Sequence, residues 1–93
     1  MNIFRRRQFN KKLKRVTDLW INAISVCQMD VILEKDERII KDDAQNLKDL
    51  TDGCMMSLNA LIKMYPEMRS VVEGIKTYIY TTNSHYISEA VKG

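Results

Sequence analysis

The chain has 93 residues, of which 45% are hydrophobic, so it can build one modest core but is too short for a second domain. This hydrophobic content argues against disorder outside the first residues, and we expect a single domain. The formal net charge of +3 is unevenly spread, because seven of the 15 Lys and Arg residues and none of the 12 Asp and Glu residues lie in the first fifteen positions.

A basic start followed by an apolar stretch raises the question of a secretory signal. The stretch 16–33 is interrupted by Asp18, Asn22, Gln28 and Asp30, and no small-residue cleavage pattern follows it. We therefore expect a cytoplasmic protein.

The first helix is predicted at about residues 8–34, behind a basic arm, residues 1–8, that need not be ordered. Apolar side chains recur there at three- and four-residue steps, the period of an amphipathic helix. The stripe consists of Leu13, Val16, Trp20, Ile24, Cys27 and Val31. Leu19, Ala23, Val26 and Ile32 broaden it, so this helix has apolar surface facing more than one direction.

The second helix begins within a charged stretch at residues 34–43. Asp36 is a suitable N-cap, with Asp42 or Asp43 as the alternatives. Its apolar stripe passes through Gly53 unbroken and comprises Ile40, Ala44, Leu47, Cys54, Leu58, Leu61 and Tyr65. We place Gly53 inside the helix and the first turn near residue 35. The alternative is a turn at Asp52-Gly53, which would fuse the first helix with the charged stretch.

Tyr65-Pro66 is the clearest boundary in the chain, because proline disfavours helical backbone in the residue before it. A third helix is predicted at about 67–91 from the stripe Met68, Val72, Ile75, Ile79, Thr82, Tyr86 and Ala90. Residues 77–82 are rich in strand formers, and Asn83-Ser84 could turn a hairpin. We favour the helix, because an isolated two-stranded hairpin is only marginally stable in water.

Together these segments predict an all-α fold, a single domain over residues 1–93. Its architecture is an elongated three-helix antiparallel (up-down-up) bundle with a basic N-terminal leader. The leader then lies at the end of the Tyr65-Pro66 turn, and the acidic stretch 34–43 lies at the other end. On the third helix we expect Tyr78 and Tyr86 to be partly buried and Tyr80 to be exposed.

The sequence offers little for catalysis. His85 is the single histidine and has no triad or metal-pair spacing, and three glycines are too few for a phosphate-binding loop. Cys27 and Cys54 fit the apolar stripes of two different helices, so we interpret both as small core residues without a disulfide. We expect no enzyme, no cofactor and no metal.

The basic leader predicts an anionic partner, because cations near a helix N-terminus oppose the macrodipole and do not stabilise the helix. The predicted binding residues are Arg5, Arg6, Arg7, Lys11, Lys12, Lys14 and Arg15. Phe4 and Phe9 could stack on bases or simply cover the end of the bundle. A protein surface and a nucleic acid or nucleotide are the favoured partners, and a membrane surface is the least favoured ligand.

The leading functional hypothesis is a non-enzymatic helical interaction module that self-associates and modulates another macromolecule. Short, motif-poor chains of this kind are typical of accessory or inhibitor proteins from phages and mobile elements. The alternative is a nucleic-acid- or nucleotide-binding protein that uses the basic N-terminal segment.

Overall fold

The computed structural model describes residues 2–92, with side chains through residue 90. Within that range the chain forms α1 (Ile3–Leu33), α2 (Glu37–Met64), a one-turn 3-10 helix (Pro66–Met68) and α3 (Arg69–Lys92), and it contains no strand. The all-α prediction is confirmed. The molecule is elongated, with principal extents of 51 × 18 × 14 Å.

Side-chain caps set the starts of the first two helices. The Asn2 side chain accepts a hydrogen bond of 2.8 Å from the backbone N–H of Arg5, and α1 begins at Ile3. The predicted start at residue 8 is therefore wrong, because this cap lets residues 3–8 join the helix. The Asp36 side chain accepts a bond of 2.9 Å from the backbone N–H of Arg38, as expected of the predicted N-cap.

The boundary between α2 and α3 is set by Pro66. Tyr65 leaves helical geometry, with φ −132° and ψ 68°, directly before Pro66. The 3-10 turn delays α3 to Arg69, two residues later than predicted. Gly53 lies inside α2 as predicted, and the hairpin alternative is wrong because residues 77–82 lie inside α3.

The hydrophobic core follows the length of α2, which packs against both other helices, while α1 and α3 meet each other over a shorter stretch. Its buried members are Phe9, Ile24, Cys27, Leu47, Cys54, Leu58, Leu61, Ile62, Tyr65, Val72 and Ile79. Both cysteines are free and buried, as predicted. Burying these side chains is the main favourable contribution to folding, at about 25 cal/mol per Å² of apolar surface.

Polar contacts align the helices. On the α1–α2 side, Trp20 Nε1 donates to Ser57 Oγ at 3.0 Å, and Cys27 Sγ donates to the backbone oxygen of Asp43 at 3.2 Å. Of these two contacts, the one later in α1 is made with the earlier residue of α2.

A buried chain of hydrogen bonds joins all three helices. Gln28 Nε2 donates to Asn83 Oδ1 at 2.7 Å, and Asn83 Nδ2 donates to Thr51 Oγ1 at 2.8 Å. Thr51 in turn donates to the backbone oxygen of Leu47 at 2.7 Å. Asn83 and Thr51 are almost fully buried, and each side chain is satisfied within this chain of bonds.

One burial prediction is wrong. Tyr78 is 72% exposed, because Val72, Ile75 and Ile79 make the core contact of α3 and leave Tyr78 on the outward side. Tyr86 is half-buried and Tyr80 is exposed, as predicted.

Candidate functional site

Arg5 is held by the turn between α2 and α3. Its guanidinium forms an ion pair with Glu67 and donates to the backbone oxygen of Met64 at 2.7 Å. It also lies 4.6 Å from the centre of the Tyr65 ring. The carbonyl end of a helix carries partial negative charge, so this cation stabilises the C-terminus of α2. Arg5, predicted as a partner-binding residue, therefore has structural contacts of its own.

The two phenylalanines of the leader have different environments. Phe9 is only 1% exposed and meets the Tyr65 ring edge to face, with 5.4 Å between centroids. Of the two alternatives for Phe9, stacking on bases or covering the end of the bundle, the buried ring agrees with the second, because the apolar stripe of α1 continues to this position. Phe4 is 73% exposed and remains available.

Five of the other six cations of the leader form a basic surface on the first half of α1, defined by Arg6, Arg7, Lys11, Lys14 and Arg15. All five are exposed. Lys14 pairs with Asp18 at 2.7 Å, one helical turn away. The other four form no ion pair within the part of the chain that the structure describes. Lys12 is also exposed and lies 5.6 Å from the centre of the Tyr65 ring.

A shallow recess adjoins the basic surface. Its volume is about 250 Å³, and it is lined by Gln8, Lys11, Lys12 and Arg15. These four positions are spaced three, four and seven residues apart, so they share one side of the helix. Such a recess can bring three cations to one anionic group.

The second half of α1 carries an apolar surface. It is defined by the exposed side chains of Leu19, Ile21, Val26, Met29, Ile32 and Leu33. Seven residues make nearly two helical turns, so Lys12, Leu19, Val26 and Leu33 lie almost in line along α1. The outward side of α1 therefore changes from basic to apolar along its length.

An uncharged groove lies between α1 and α3 beside the apolar surface. Its volume is about 420 Å³, and its lining residues are Ile21, Ile24, Ser25, Gln28, Gly74, Ile75, Tyr78, Ile79, Thr82 and Asn83. It forms because α2 separates the other two helices over part of their length. The polar atoms of Gln28 and Asn83 are already engaged with each other at 2.7 Å, so the groove is chiefly an apolar feature.

The two helical glycines differ in what surrounds them. A Cβ at Gly53 would meet Cη2 of Trp20 at 2.6 Å, so the indole needs a glycine there. A Cβ at Gly74 would meet nothing within 4 Å. Glycine inside a helix costs about 1 kcal/mol relative to alanine, and the described residues offer no internal reason for Gly74.

Sequence reasoning missed the groove, because the separation of α1 and α3 cannot be read from either helix alone.

The remaining chemistry-bearing residues are dispersed. His85 is exposed and lies edge to face with Tyr86, at 6.2 Å between ring centroids. Burial raises the pKa of the Cys27 and Cys54 thiols, which reduces the reactive thiolate at neutral pH. Among the described side chains, no group of three or more His, Cys, Asp or Glu residues is arranged to hold a metal ion.

Carboxylates gather where α1 turns into α2. Burial, followed by repulsion from Asp30, Glu34 and Asp42, raises the pKa of Asp43. This end of the molecule is therefore acidic, and the end holding the basic surface is positive.

Comparison with known proteins assigns no family: no family model, no curated protein and no solved structure matches the chain. Within the described range, α1 alone is long and apolar enough to cross a membrane, with a mean hydropathy of 1.3 over its most apolar window. This result rests on length and composition alone, because the core helices of soluble proteins and signal sequences meet the same criterion.

Proposed function

We propose that this protein is a non-enzymatic helical interaction module that self-associates through α1 and modulates another macromolecule. The observation that carries the proposal is the apolar surface. Its six members are between 45% and 69% exposed, and they lie on one half of one helix. Exposed apolar side chains grouped along one helix are a feature of protein-association sites, and the exposed polar residues Asn22 and Ser25 lie among them here.

An up-down-up arrangement of the three helices is part of this proposal. It is supported by the contacts of Arg5 with Met64 and of Trp20 with Ser57, which pair α1 with α2 in opposite directions. The Gln28–Asn83 contact then sets α1 beside α3. In this arrangement α1 and α3 point the same way, and the basic N-terminal leader forms the first half of α1.

The outward side of α2 contrasts with that of α1. It carries charged and polar residues, including Lys41, Gln45, Lys48, Asp52 and Asn59, all exposed. Its exposed large apolar residues, Ile39, Met56 and Met64, lie far apart along the helix. Association is therefore expected on the side of α1 and not on that of α2.

Matched variants test this proposal by static light scattering. Replacing Leu19, Val26 and Leu33 by glutamine should reduce the scattering mass of the associated protein to that of the monomer. Replacing Ile39, Met56 and Met64 by glutamine removes the same number of exposed apolar side chains from α2 and should leave the mass unchanged. Equal effects of the two triple variants would contradict the assignment to α1.

A second candidate function, binding of nucleic acid or a nucleotide, is favoured by the basic surface. Arg6, Arg7, Lys11 and Arg15 are exposed and unpaired among the described residues. Lys and Arg side chains that neutralise phosphates release counterions, so the affinity falls steeply with salt.

The second candidate is tested by titrating a short DNA duplex at several salt concentrations. Replacing Arg6, Arg7, Lys11 and Arg15 by glutamine should lower the affinity and reduce the slope of log K against log salt by up to about 0.9 per lost phosphate contact. The control replaces Arg38, Lys41, Lys48 and Lys63, with the same change in net charge. If both variants bind alike, net charge and not the basic surface governs binding.

A further inference from the structure

We propose that a cleft between α1 and α3 receives an amphipathic helix of a partner protein, antiparallel to both helices and with lysine or arginine in its first turn. The cleft consists of the uncharged groove and a second recess that follows it along the same two helices. This inference rests on the proposed modulation of another macromolecule, and it names the chemistry of that partner.

The second recess lies at the end of the molecule where α1 turns into α2. Its volume is about 450 Å³, and Ile40 of α2 and Glu34 of the turn contribute to its lining. The remaining lining residues belong to α1 and α3 and are Val31, Ile32, His85, Tyr86, Glu89 and Ala90. On both helices these residues begin within one turn of the contact between Gln28 and Asn83.

The groove and the second recess lie on the same side of each helix. On α1 the lining residues recur at three- and four-residue steps from Ile21 to Ile32, and on α3 they do so from Gly74 to Ala90. At 1.5 Å per residue these stretches are about 17 Å and about 24 Å long. The cleft is therefore long enough for about three to four turns of a helix.

The packing of the chain leaves a place for a fourth helix. α2 packs against both α1 and α3, which meet each other over a shorter stretch. In an antiparallel four-helix bundle the fourth helix packs against the first and the third, and residues 2–92 supply no helix for that position. The groove residues there are all uncharged, which fits the apolar side of an amphipathic helix.

Charge at one end of the cleft defines the chemistry of the partner. The second recess is lined by the carboxylates of Glu34 and Glu89 and, among the described side chains, by no lysine or arginine. Glu34 Oε1 accepts bonds of 2.9 and 3.0 Å from the backbone N–H groups of Lys35 and Asp36, and a carboxylate can accept further bonds. The cations Lys35 and Arg38 are exposed and lie outside the lining. A cation on the partner is therefore favoured at this end.

The other end of the cleft leads into the basic surface, which selects the direction of the partner. Arg7, Lys14 and Ile21 are spaced seven residues apart, so they lie almost in line along α1. Lys14 pairs with Asp18, and Arg7 forms no ion pair among the described residues. A helix carries partial positive charge at its N-terminus and partial negative charge at its C-terminus. An antiparallel partner therefore places each of its ends beside the opposite charge.

The cleft is distinct from the line of Leu19, Val26 and Leu33, on which the proposed self-association is tested. Successive residues lie about 100° apart round a helix, so Val26 is about 100–160° away from the groove residues of α1. Of the apolar surface, only Ile21 and Ile32 also line the cleft. A partner helix and a second copy can thus bind to different sides of α1.

A synthetic peptide tests the cleft on the 93-residue chain. It has about 16 residues, with leucines at three- and four-residue steps, lysines in its first turn and blocked ends. The control peptide has the same composition with its leucines scrambled. Fluorescence anisotropy of the labelled peptides should show saturable binding of the first peptide only. Equal binding of the two peptides, or binding of neither, would overturn the inference.

Two exposed positions on α1 test where the peptide binds, because Ser25 lines the groove and Ala23 does not. Ser25→Tyr fills part of the groove and should raise the dissociation constant of the peptide about tenfold. Ala23→Tyr should leave it unchanged, and urea unfolding checks that both variants fold. Equal dissociation constants for the two variants would place the peptide outside the cleft.

Glu89→Gln tests the charge of the second recess at pH 8, where histidines are largely uncharged. It should raise the dissociation constant of the peptide about two- to fivefold at low salt. A peptide with glutamines in place of its lysines should bind both forms alike. Glu37→Gln removes an exposed acid outside the lining and should have less effect. An equal rise for Glu37→Gln would assign the effect to net charge and overturn the contact with Glu89.

A cysteine at the N-terminus of the peptide tests the direction. On mild oxidation it should form a disulfide with Ile32→Cys and not with Ile21→Cys, because an antiparallel helix begins beside the end of α1. The unmodified chain, with both cysteines buried, gives the background. A disulfide with Ile21→Cys alone would indicate a parallel helix and overturn the orientation.

The outcomes separate this inference from self-association. The variant with glutamine at Leu19, Val26 and Leu33 should bind the peptide as the wild type does, and loss of binding would assign the peptide to the apolar surface and overturn the inference. If Ser25→Tyr converts the associated protein to the monomer, a second copy occupies the cleft, which overturns the inference and leaves self-association standing. A chain that binds the peptide but stays monomeric supports the inference and contradicts self-association.

Discussion

The indole of Trp20 lies against the backbone of Gly53, so closely that a Cβ at position 53 would come within 2.6 Å of Cη2. The same indole donates its N–H to Ser57 Oγ at 3.0 Å, and Ser57 donates to the backbone oxygen of Gly53 at 3.1 Å. These three residues fix the distance between α1 and α2 near the middle of the molecule.

Gly53→Ala should therefore destabilise the protein even though alanine is the better helix former. The propensity gain is about 1 kcal/mol, whereas overpacking a fitted contact costs about 1–3 kcal/mol. We expect a net loss of up to about 2 kcal/mol in the free energy of urea unfolding. Gly74→Ala is the matched control, since its Cβ is free, and it should stabilise the monomer. An equal gain from both substitutions would show that Trp20 does not restrict position 53.

Thr51→Val should reveal how much the buried hydrogen-bond chain contributes. Valine has nearly the shape of threonine but cannot accept the bond from Asn83 Nδ2, which then stays buried without a partner. Such a loss costs about 1–3 kcal/mol, measurable as a lower free energy of unfolding. Thr51→Ser keeps the oxygen and should retain the bond at the cost of one methyl group. A valine variant as stable as the wild type would mean that Asn83 finds another acceptor.

The ion pair between Arg5 and Glu67 predicts a pH-dependent contribution to stability. The hydrogen bond from Arg5 holds the pKa of Glu67 below its usual range. A lowered carboxyl pKa stabilises the fold above the pKa of the unfolded chain, about 4.3 for glutamate, and this contribution is lost as the pH falls through the lowered value. Glu67→Gln should thus reduce stability at pH 7, and the difference from wild type should vanish in strong acid.

Because both partners are partly exposed, salt should weaken this contribution. Thermal unfolding of the wild type and Glu67→Gln at two salt concentrations measures that effect. A difference that persists unchanged in strong acid would show that glutamine alters packing and not the ion pair.

The pH-dependent contribution of Asp43 to stability should have the opposite sign to that of Glu67. Its pKa is raised by burial and by the neighbouring carboxylates. A raised carboxyl pKa destabilises the fold at high pH, and the penalty disappears as the pH falls below the pKa of the unfolded chain, about 3.9 for aspartate. Asp43→Asn should therefore be more stable than the wild type at pH 7, and the two should converge in acid.

The control for Asp43 is Asp52→Asn, which removes an exposed acid elsewhere on α2. It should change stability less than Asp43→Asn at pH 7. If the two substitutions stabilise the protein equally, the general negative charge of α2 and not the local cluster is responsible.

Most of the fold follows from local signals in the sequence. Asp36 and Pro66 mark the ends of α2 because their preferences act on their own backbone. The unbroken stripe on either side of Gly53 was enough to reject a turn there. The start of α1 does not follow from the sequence pattern, because the dense basic charge of residues 5–15 masks the cap at Asn2 and the apolar stripe that continues to Phe9.

The candidate site was less accessible to sequence reasoning. Broad apolar character on α1 was visible, but which side stays exposed depends on how α2 packs against it. Likewise Arg5 belongs to the same run of cations as Arg6 and Arg7. Only the approach of Glu67, 62 positions away in sequence, distinguishes its role.

Sedimentation equilibrium of the unmodified 93-residue chain, from low micromolar to near-millimolar concentration, tests the claim that the outward side of α1 is an interface. We predict that the mass rises with concentration from 10.9 kDa towards twice that value and no further. A mass that stays at 10.9 kDa over the whole range would contradict the account.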